Sequence, residues 1–406
     1  MRVDHDHDLP PTSGRPRRAV IAGSGPGGAA AGLLLARAGF AVTVLERVAA
    51  PAAVGGALLL QPNGIAVLQG LGIDPIPGAR ELRSTHVRDA SGRALLDAPV
   101  TGAAGLDHNL VVRRSELFGA LHARLAADDR IDVRLGHAAV ALTAGGVALT
   151  RPDGPDEVAA DLVVVADGVR SALRAAVSPD ARVVEGPTYL RAVVPGAIPA
   201  DDAGEWWTGL GLFGAAPVGD DATYVFASTA HPDVAAALEA GDVAGLAARW
   251  GAELPVAGDL LGRVAAVDQL MISRADEVHA PRWVTDRAAL LGDAAHAMLP
   301  NTGQGANSAL LDAAVLALEL ADAPSIEAGL AAYETRRRPA VTRVQADARS
   351  LARLAHLRSG PARRARDLAL RAAARLPAER QTRRLHQEDP AAVRAALLAL
   401  RATRQA

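Results

Sequence analysis

Cysteine is absent from all 406 residues. That excludes disulfides, thiolate metal sites, iron–sulfur clusters and a cysteine nucleophile. Lysine is absent too: each of the 43 basic residues is an arginine. Schiff-base chemistry and a P-loop lysine are therefore excluded. Aromatic residues make up only 3%, and no charge sign dominates, the formal net charge being -2. No apolar run approaches the roughly 18–20 uncharged residues that span a membrane. The polar, arginine-bearing N-terminus has no apolar core of a secretory signal, so a cytoplasmic protein is expected. What is present is a chain 50% hydrophobic and 22% charged, too apolar and too balanced for disorder. Its length suits two or three domains of about 100–200 residues each.

Charge is unevenly spread. Val341 to Ala406 holds 15 Arg against 5 acidic residues, a local excess of +10, which leaves about -12 on the rest. Such a tail can bind nucleic acid or anionic membrane. With little aromatic content, it is read here as solvated helical faces whose arginines cover acidic surface of the same protein. No nucleic-acid partner is expected. Residues 1–16 read as a disordered leader. Its His5 and His7 lack further ligands nearby, so no metal site is expected.

Arg18 to Ala22 has the apolar run of a buried strand and leads directly into Gly23-Ser-Gly-Pro-Gly-Gly28. A helix over Ala29–Ala38, a stop at Gly39 and a strand over Phe40–Leu45 follow, which together make one βαβ unit. Asp161–Ala166 and Ala288–Leu291 are further continuous apolar strands of the kind buried on both faces of a parallel sheet. From about 180 to 284 the character changes. Seven of the eleven aromatics lie between Tyr189 and Trp250, and alternating stretches such as Ala222–Ala227 predict antiparallel strands. From about 304 onward the pattern is helical, with breaks expected at Pro339, Gly360-Pro361, Pro377 and Pro390.

Two motifs bear on chemistry. In Gly23-x-Gly25-x-x-Gly28, the first glycine permits a tight turn and the second lets a pyrophosphate approach the backbone. The third allows close helix–strand packing at a helix N-terminus that attracts phosphate. Glu46 ends the second strand, 18 residues after Gly28, near the ~20 expected of an acid that takes ribose hydroxyls. A carboxylate there repels a 2′-phosphate, so the site fits FAD or NAD. The second motif runs from Leu290 through Gly292-Asp293 and Pro300 to Gly303-Gln304-Gly305 and Asn307. Asp293 ends a strand, and the Gly303–Gly305 loop exposes backbone N–H groups at a helix start, able to stabilise negative charge on a flavin ring edge.

Together these motifs resemble the class A, single-component FAD-dependent monooxygenases of the para-hydroxybenzoate hydroxylase type, over residues 18 to about 339. The resemblance extends to Arg47 beside Glu46, to Arg114-Ser-Glu-Leu117, to Asp167-Gly168-x-x-Ser171-x-x-Arg174, and to Tyr333-Glu334 with Arg337 and Pro339. It departs at Leu190-Arg191-Ala192, where the family has Trp-Arg-Gly, and at Leu311, where an acid is common.

The resemblance implies an α/β fold: a Rossmann-type FAD-binding domain, a mostly antiparallel substrate-domain sheet and a helical C-terminus. The implied boundaries are 17–179 and 285–340 for the FAD domain, interrupted by a substrate-domain insertion near 80–110. The substrate domain is 180–284, and C-terminal helices span 341–406. Glu46 would hold the adenosine ribose, Arg114 the phosphate or ribityl region, and Asp167 both FAD and the nicotinamide donor. Asp293 would hold the ribityl chain or pyrophosphate. Pro300 would line the reactive edge, with Gly303, Gln304 and Gly305 by the pyrimidine ring. NADH or NADPH would reduce bound FAD transiently, because no second dinucleotide fingerprint is present. Oxygen would then pass from a flavin hydroperoxide to an aromatic or polycyclic substrate, most simply as a hydroxylation. Trp206, Trp207, Phe213 and Tyr224 either form a flat substrate wall or belong to the hydrophobic core. Arg191 either faces the site or pairs on the surface, and Tyr224 or His231 is a candidate base. A monomer or homodimer is expected. Two alternatives stay open: a flavin-dependent dehydrogenase or reductase on the same scaffold, and a non-catalytic binding module like the carriers of prenylated proteins.

Overall fold

The computed structural model describes residues 16–50, 56–374 and 385–402. His5, His7, nearly all of the expected leader and Pro377 lie outside them. Five strands form a wholly parallel sheet in the order Ala288–Leu290, Leu162–Val165, Arg18–Ala22, Ala41–Glu46, Ile131–Leu135. The central strands are continuous aliphatic runs and are buried on both faces: Val163, Val164, Val165 and Ile21 are at most 1% exposed. Burying each such side chain stabilises the fold by roughly 1.5–3 kcal/mol. The first helix, Pro26–Arg37, packs against this sheet and has ten buried residues. It begins inside the glycine-rich turn, three residues earlier than its apolar pattern predicts, because Pro26 takes a first-turn position that needs no N–H partner.

A seven-stranded sheet stands beside it, in the order Met271–Arg274, Thr188–Pro195, Ala222–Ser228, Leu212–Val218, Gly204–Trp207, Ser84–Asp89, Ala94–Pro99. Its pairings are antiparallel except where Gly204–Trp207 meets Ser84–Asp89. One face is covered by the helices Pro232–Glu239, Val243–Glu253 and Pro255–Leu261, around the fully buried Trp250. The other faces a small sheet of Ala57–Leu60, Asn109–Arg113 and Arg80–Leu82, and the C-terminal end of a long helix.

That long helix, Ile326–Ala355, runs straight through Pro339, where the sequence predicts a break. An interior proline costs about 3 kcal/mol. Here Arg337, Ala340, Val341 and Val344 are buried on both sides of it, and their packing offsets that cost. Gly360 and Pro390 do begin new helices, Gly360–Ala373 and Pro390–Ala402. Several tail arginines lie against acids elsewhere in the chain, Arg349 on Glu277 at 3.0 Å and Arg371 on Asp89 at 2.6 Å. Among the described residues no helix is long and apolar enough to cross a membrane.

Candidate active site

The glycine-rich turn sits at the C-terminal ends of the parallel strands. Its three fingerprint glycines do different work. Gly23 has φ +102°, and a Cβ there would lie 2.4 Å from the Ala166 carbonyl oxygen. A Cβ on Gly28 would lie 2.1 Å from the Gly23 oxygen. Both are demanded by the fold itself. Gly25 differs: a Cβ there meets nothing within 4 Å. Its face is open, at the N-terminus of a twelve-residue helix.

Glu46 reaches this turn. Its Oε2 accepts from the Ser24 N–H at 3.0 Å and the Ser24 hydroxyl at 2.9 Å, and its Oε1 from the Val48 N–H at 3.0 Å. One lone-pair direction on Oε1 is left for another donor. His122, which the motif reading missed, places Nε2 3.2 Å from the Ser24 oxygen and stacks on Phe118. Burial draws its pKa below the ordinary value, against its hydrogen bond to Ser24 and the Glu46 charge. Arg47 and Arg114 are exposed. The backbone N–H of Arg114 donates to Gly56, and its charge is felt by Tyr224.

Asp167 is positioned by the adjoining strand. Its Oδ2 accepts from the Ala172 N–H at 2.9 Å, while its buried Oδ1 has no partner. Gly168 beside it has φ +85° and open space where a Cβ would be. Arg174 ties this turn to the second motif, donating to the oxygens of Gly168, Val169 and Ala294. Its buried guanidinium feels both Asp167 and Asp293. Asp293 itself is exposed, at the start of the short helix Asp293–His296.

In the second loop, Pro300 is exposed, Gly303 has φ +64°, and Gly305 faces open space. The Gln304 side chain turns away from the loop's open face. It is fully buried, accepting from Asn63 and Gln387 and donating to Gln61 at 2.6 Å. Only its backbone is available to a ligand. Asn307 braces the loop, donating to the oxygens of Leu59 and Gly303. Asn301 Nδ2 and Thr302 Oγ1 are buried and unpartnered, like Asp167 Oδ1.

The seven-stranded sheet divides the expected aromatic wall. Trp206 and Phe213 point to the helix-covered face, Phe213 5.5 Å from Trp250, so they belong to the core and not to a substrate wall. The strand pleat, with period two, decides this. Trp207 lies on the opposite face with Tyr189 and Leu212, packed against the long helix. Tyr224 and Phe226 share that face, 5.6 Å apart.

Arg191 turns to the same side, hydrogen-bonded to the Ser273 hydroxyl and lying 5.9 Å from the Tyr189 ring. Burial raises the Tyr224 phenol above its ordinary pKa, against nearby Arg191 and Arg114. It therefore stays protonated near neutrality and is a donor rather than a base. His231 caps the helix Pro232–Glu239, its Nδ1 accepting from the Asp233 N–H. That structural use does not place it with Tyr224.

An open cradle at Gly25, Gly168 and Gly305, with an unpartnered buried carboxylate oxygen on Asp167, fits a dinucleotide with a polar ring edge. FAD satisfies that description, and nothing in the donor set opposes it.

Comparison with known proteins agrees. The family described as FAD binding domain matches residues 17–348. Aurachin C monooxygenase/isomerase from Stigmatella aurantiaca is 32% identical over 341 residues, 78% of this chain and 83% of its own. A 3-amino-4-hydroxybenzoate 2-monooxygenase from Streptomyces platensis is 31% identical over 387 residues, 90% and 95% of the two chains. Among solved structures, tetrameric 2-methyl-3-hydroxypyridine-5-carboxylic acid oxygenase superposes with a TM-score of 0.72 at 28% identity, covering 86% of this chain and 94% of that one.

Proposed function

This chain belongs to the FAD binding domain family of flavoprotein monooxygenases, and from that premise we propose how its site is used. The protein is an FAD-dependent monooxygenase, an oxidoreductase. We infer that NADH or NADPH is the transient electron donor. O₂ is the co-substrate, and a flat aromatic or polycyclic small molecule is hydroxylated. The relatives' names point the same way: 3-amino-4-hydroxybenzoate and 2-methyl-3-hydroxypyridine-5-carboxylic acid are both flat rings with a hydroxyl and a carboxylate.

Two features together carry this reading. One is the open Gly25 cradle with the unpartnered Asp167 Oδ1. The other is a sheet face that presents Tyr224, Phe226 and Arg191, each half-buried.

When bound, FAD supplies the redox chemistry that activates O₂. The chain supplies position and environment. Gly23 to Gly28 and the helix N-terminus would hold the pyrophosphate, and Glu46 the ribose hydroxyls. Asp167 and Asp293, bridged by Arg174, would take the polar groups between. The backbone N–H groups of the Gly303–Gly305 loop would face the ring's polar edge. Tyr224 holds its proton and can donate it in a hydrogen bond to a substrate oxygen. The apolar residues around it exclude water, which strengthens that bond.

Two measurements test this. Reduction of the purified flavoprotein by NADH or NADPH under anaerobic conditions is expected. O₂ uptake stoichiometric with a hydroxylated product from an aromatic panel should follow. Bound FAD that transfers electrons with no oxygen incorporated would instead support a dehydrogenase or reductase. Absence of flavin after reconstitution would support a binding module. Asp293→Ala is expected to weaken FAD retention roughly 10-fold while leaving the thermal midpoint unchanged, since an exposed charged hydrogen-bond acceptor is lost. Equilibrium dialysis of flavin reads this out, and unchanged affinity would remove Asp293 from the site.

A further inference from the structure

A chain of side-chain amides links the Gly292 and Gly303 loops from behind. It starts at Asp312, whose Oδ2 accepts from the Gly292 N–H at 3.1 Å and whose Oδ1 accepts from Arg337 Nε at 2.8 Å. Arg337 Nη2 donates to Gln387 Oε1 at 2.8 Å. Gln387 Nε2 donates to Gln304 Oε1 at 3.1 Å, and Gln304 Nε2 to Gln61 Oε1 at 2.6 Å. Gln61 Nε2 ends the chain on the Thr302 carbonyl at 2.8 Å.

The direction of this chain is fixed at both ends. A guanidinium only donates and a carbonyl only accepts. Each glutamine must therefore turn its oxygen toward Arg337 and its nitrogen toward Thr302. A side branch enforces the same choice. Asn63 Oδ1 accepts from the Gly64 N–H, so its Nδ2 is the donor to Gln304 Oε1 at 2.9 Å. Aligned hydrogen bonds polarise and strengthen one another in a dry interior, and Arg337, Gln304 and Gln61 are at most 8% exposed.

Gln387 is the outsider in this set. Every other member lies within residues 17–348, which match the family; Gln387 lies beyond them. Among the described residues it is the one non-glycine with positive φ, +65°. An L-residue adopts that backbone rarely, and only where its surroundings hold it there. The neighbouring chain is anchored without the Gln387 side chain. Glu388 accepts from Arg336 Nε and Nη2 at 2.9 and 3.0 Å. In the helix Pro390–Ala402, Val393 and Leu397 are buried in the main core. Replacing Gln387 thus removes the bridge and leaves the segment in place.

Resting on the FAD-dependent reading above, we propose that Gln387 is a positioning residue of the cofactor site. It fixes the Gln304 amide, and through it the loop backbone from Pro300 to Gly305. It also couples that loop to Gly292 and Asp293 through Arg337 and Asp312. The C-terminal segment is in this way a working part of the cofactor site, although it touches no cofactor atom.

The test is Gln387→Glu in the full chain, with FAD affinity measured by equilibrium dialysis above neutral pH and well below the melting temperature. The substitution keeps an acceptor for Arg337 and adds charge to that bond. The second carboxylate oxygen has no hydrogen to give and faces Gln304 Oε1, another acceptor. Gln304 cannot turn over without losing Asn63 and Gln61. The Kd for FAD is expected to rise about 10-fold, and the absorbance bands of the bound flavin to shift. A residue that merely stabilised the fold would lower the melting temperature and leave both readings unchanged. Should Gln387→Glu not fold, Gln387→Gly suits the positive φ, removes the bridge and is expected to give the same rise. A Kd within about 2-fold of wild type, an unshifted flavin spectrum, or failure of both variants to fold would overturn the proposal and leave the monooxygenase reading intact. Failure of the wild type to take up FAD would overturn that reading and the proposal with it.

Discussion

Gly25→Val is expected to purify as a folded protein that no longer takes up FAD. Its backbone, at φ -59° and ψ 175°, suits any L-residue. A Cβ at this position meets no protein atom within 4 Å, so the apoprotein has nothing to lose. The space that valine would fill is the face where a pyrophosphate must approach the backbone N–H groups. A loss of more than about 100-fold in FAD affinity follows, about 2.7 kcal/mol. Circular dichroism should match wild type while the flavin absorbance disappears. Gly28→Ala serves as the contrast. Its Cβ would lie 2.1 Å from a carbonyl oxygen, so folding itself should suffer. A Gly25→Val protein with normal flavin content would remove the turn from the cofactor site.

Replacing Arg337 by methionine is expected to cost about 3–5 kcal/mol of stability, the range for stranding one half of a buried ion pair. Arg337 and Asp312 are both completely buried, with Nε donating to Oδ1 at 2.8 Å. The other Asp312 oxygen faces His296 Nε2 at 2.5 Å and accepts from the Gly292 N–H at 3.1 Å. Burial by itself would raise the Asp312 pKa, but His296 and Arg337 outweigh it and hold the carboxyl below its usual range. Arg337→Met leaves that carboxylate with one cation fewer in a dry interior.

Denaturant midpoints should fall accordingly. The double variant Arg337→Met with Asp312→Leu should recover part of the loss, since no lone carboxylate then remains, while His296 and the Gly292 N–H lose their acceptor. A single variant as stable as wild type would show that the pair contributes little. In the wild type this contribution is fully present above the ordinary Asp range. It is lost as pH falls below that range, because the folded carboxyl titrates lower than the unfolded one. Because Asp312 also holds Gly292, the residue before Asp293, the same change should loosen the second cofactor loop.

The turn that carries the proposed cofactor cradle was legible in the residues alone. Gly23, Gly25, Gly28 and Glu46 lie close together in sequence and form one local unit, so spacing suffices to place them. Asp167 was singled out by the family resemblance and Asp293 by its place at a strand end, and parallel strands bring both to one edge of the sheet. The direction of the Gln304 side chain was not legible, because spacing locates a backbone but says nothing of where a long amide turns. Its partners Gln61, Asn63 and Gln387 are 83 residues or more away in the chain. Gln387 stood in no motif and offered no signal.

The sequence by itself determined the chemistry that this protein excludes, the presence of a βαβ dinucleotide turn and the positions of its acids, since local sterics and strand ends are short-range properties. Only the tertiary structure decided which side of a strand is covered by helices and which is not. A pleat sends Trp206 under the covering helices and its neighbours Glu205 and Trp207 to the opposite face, and that assignment depends on which face those helices cover. It also decided that Pro339 lies within a helix and that Asp312 meets Arg337, because both depend on packing between segments that the chain's order does not reveal.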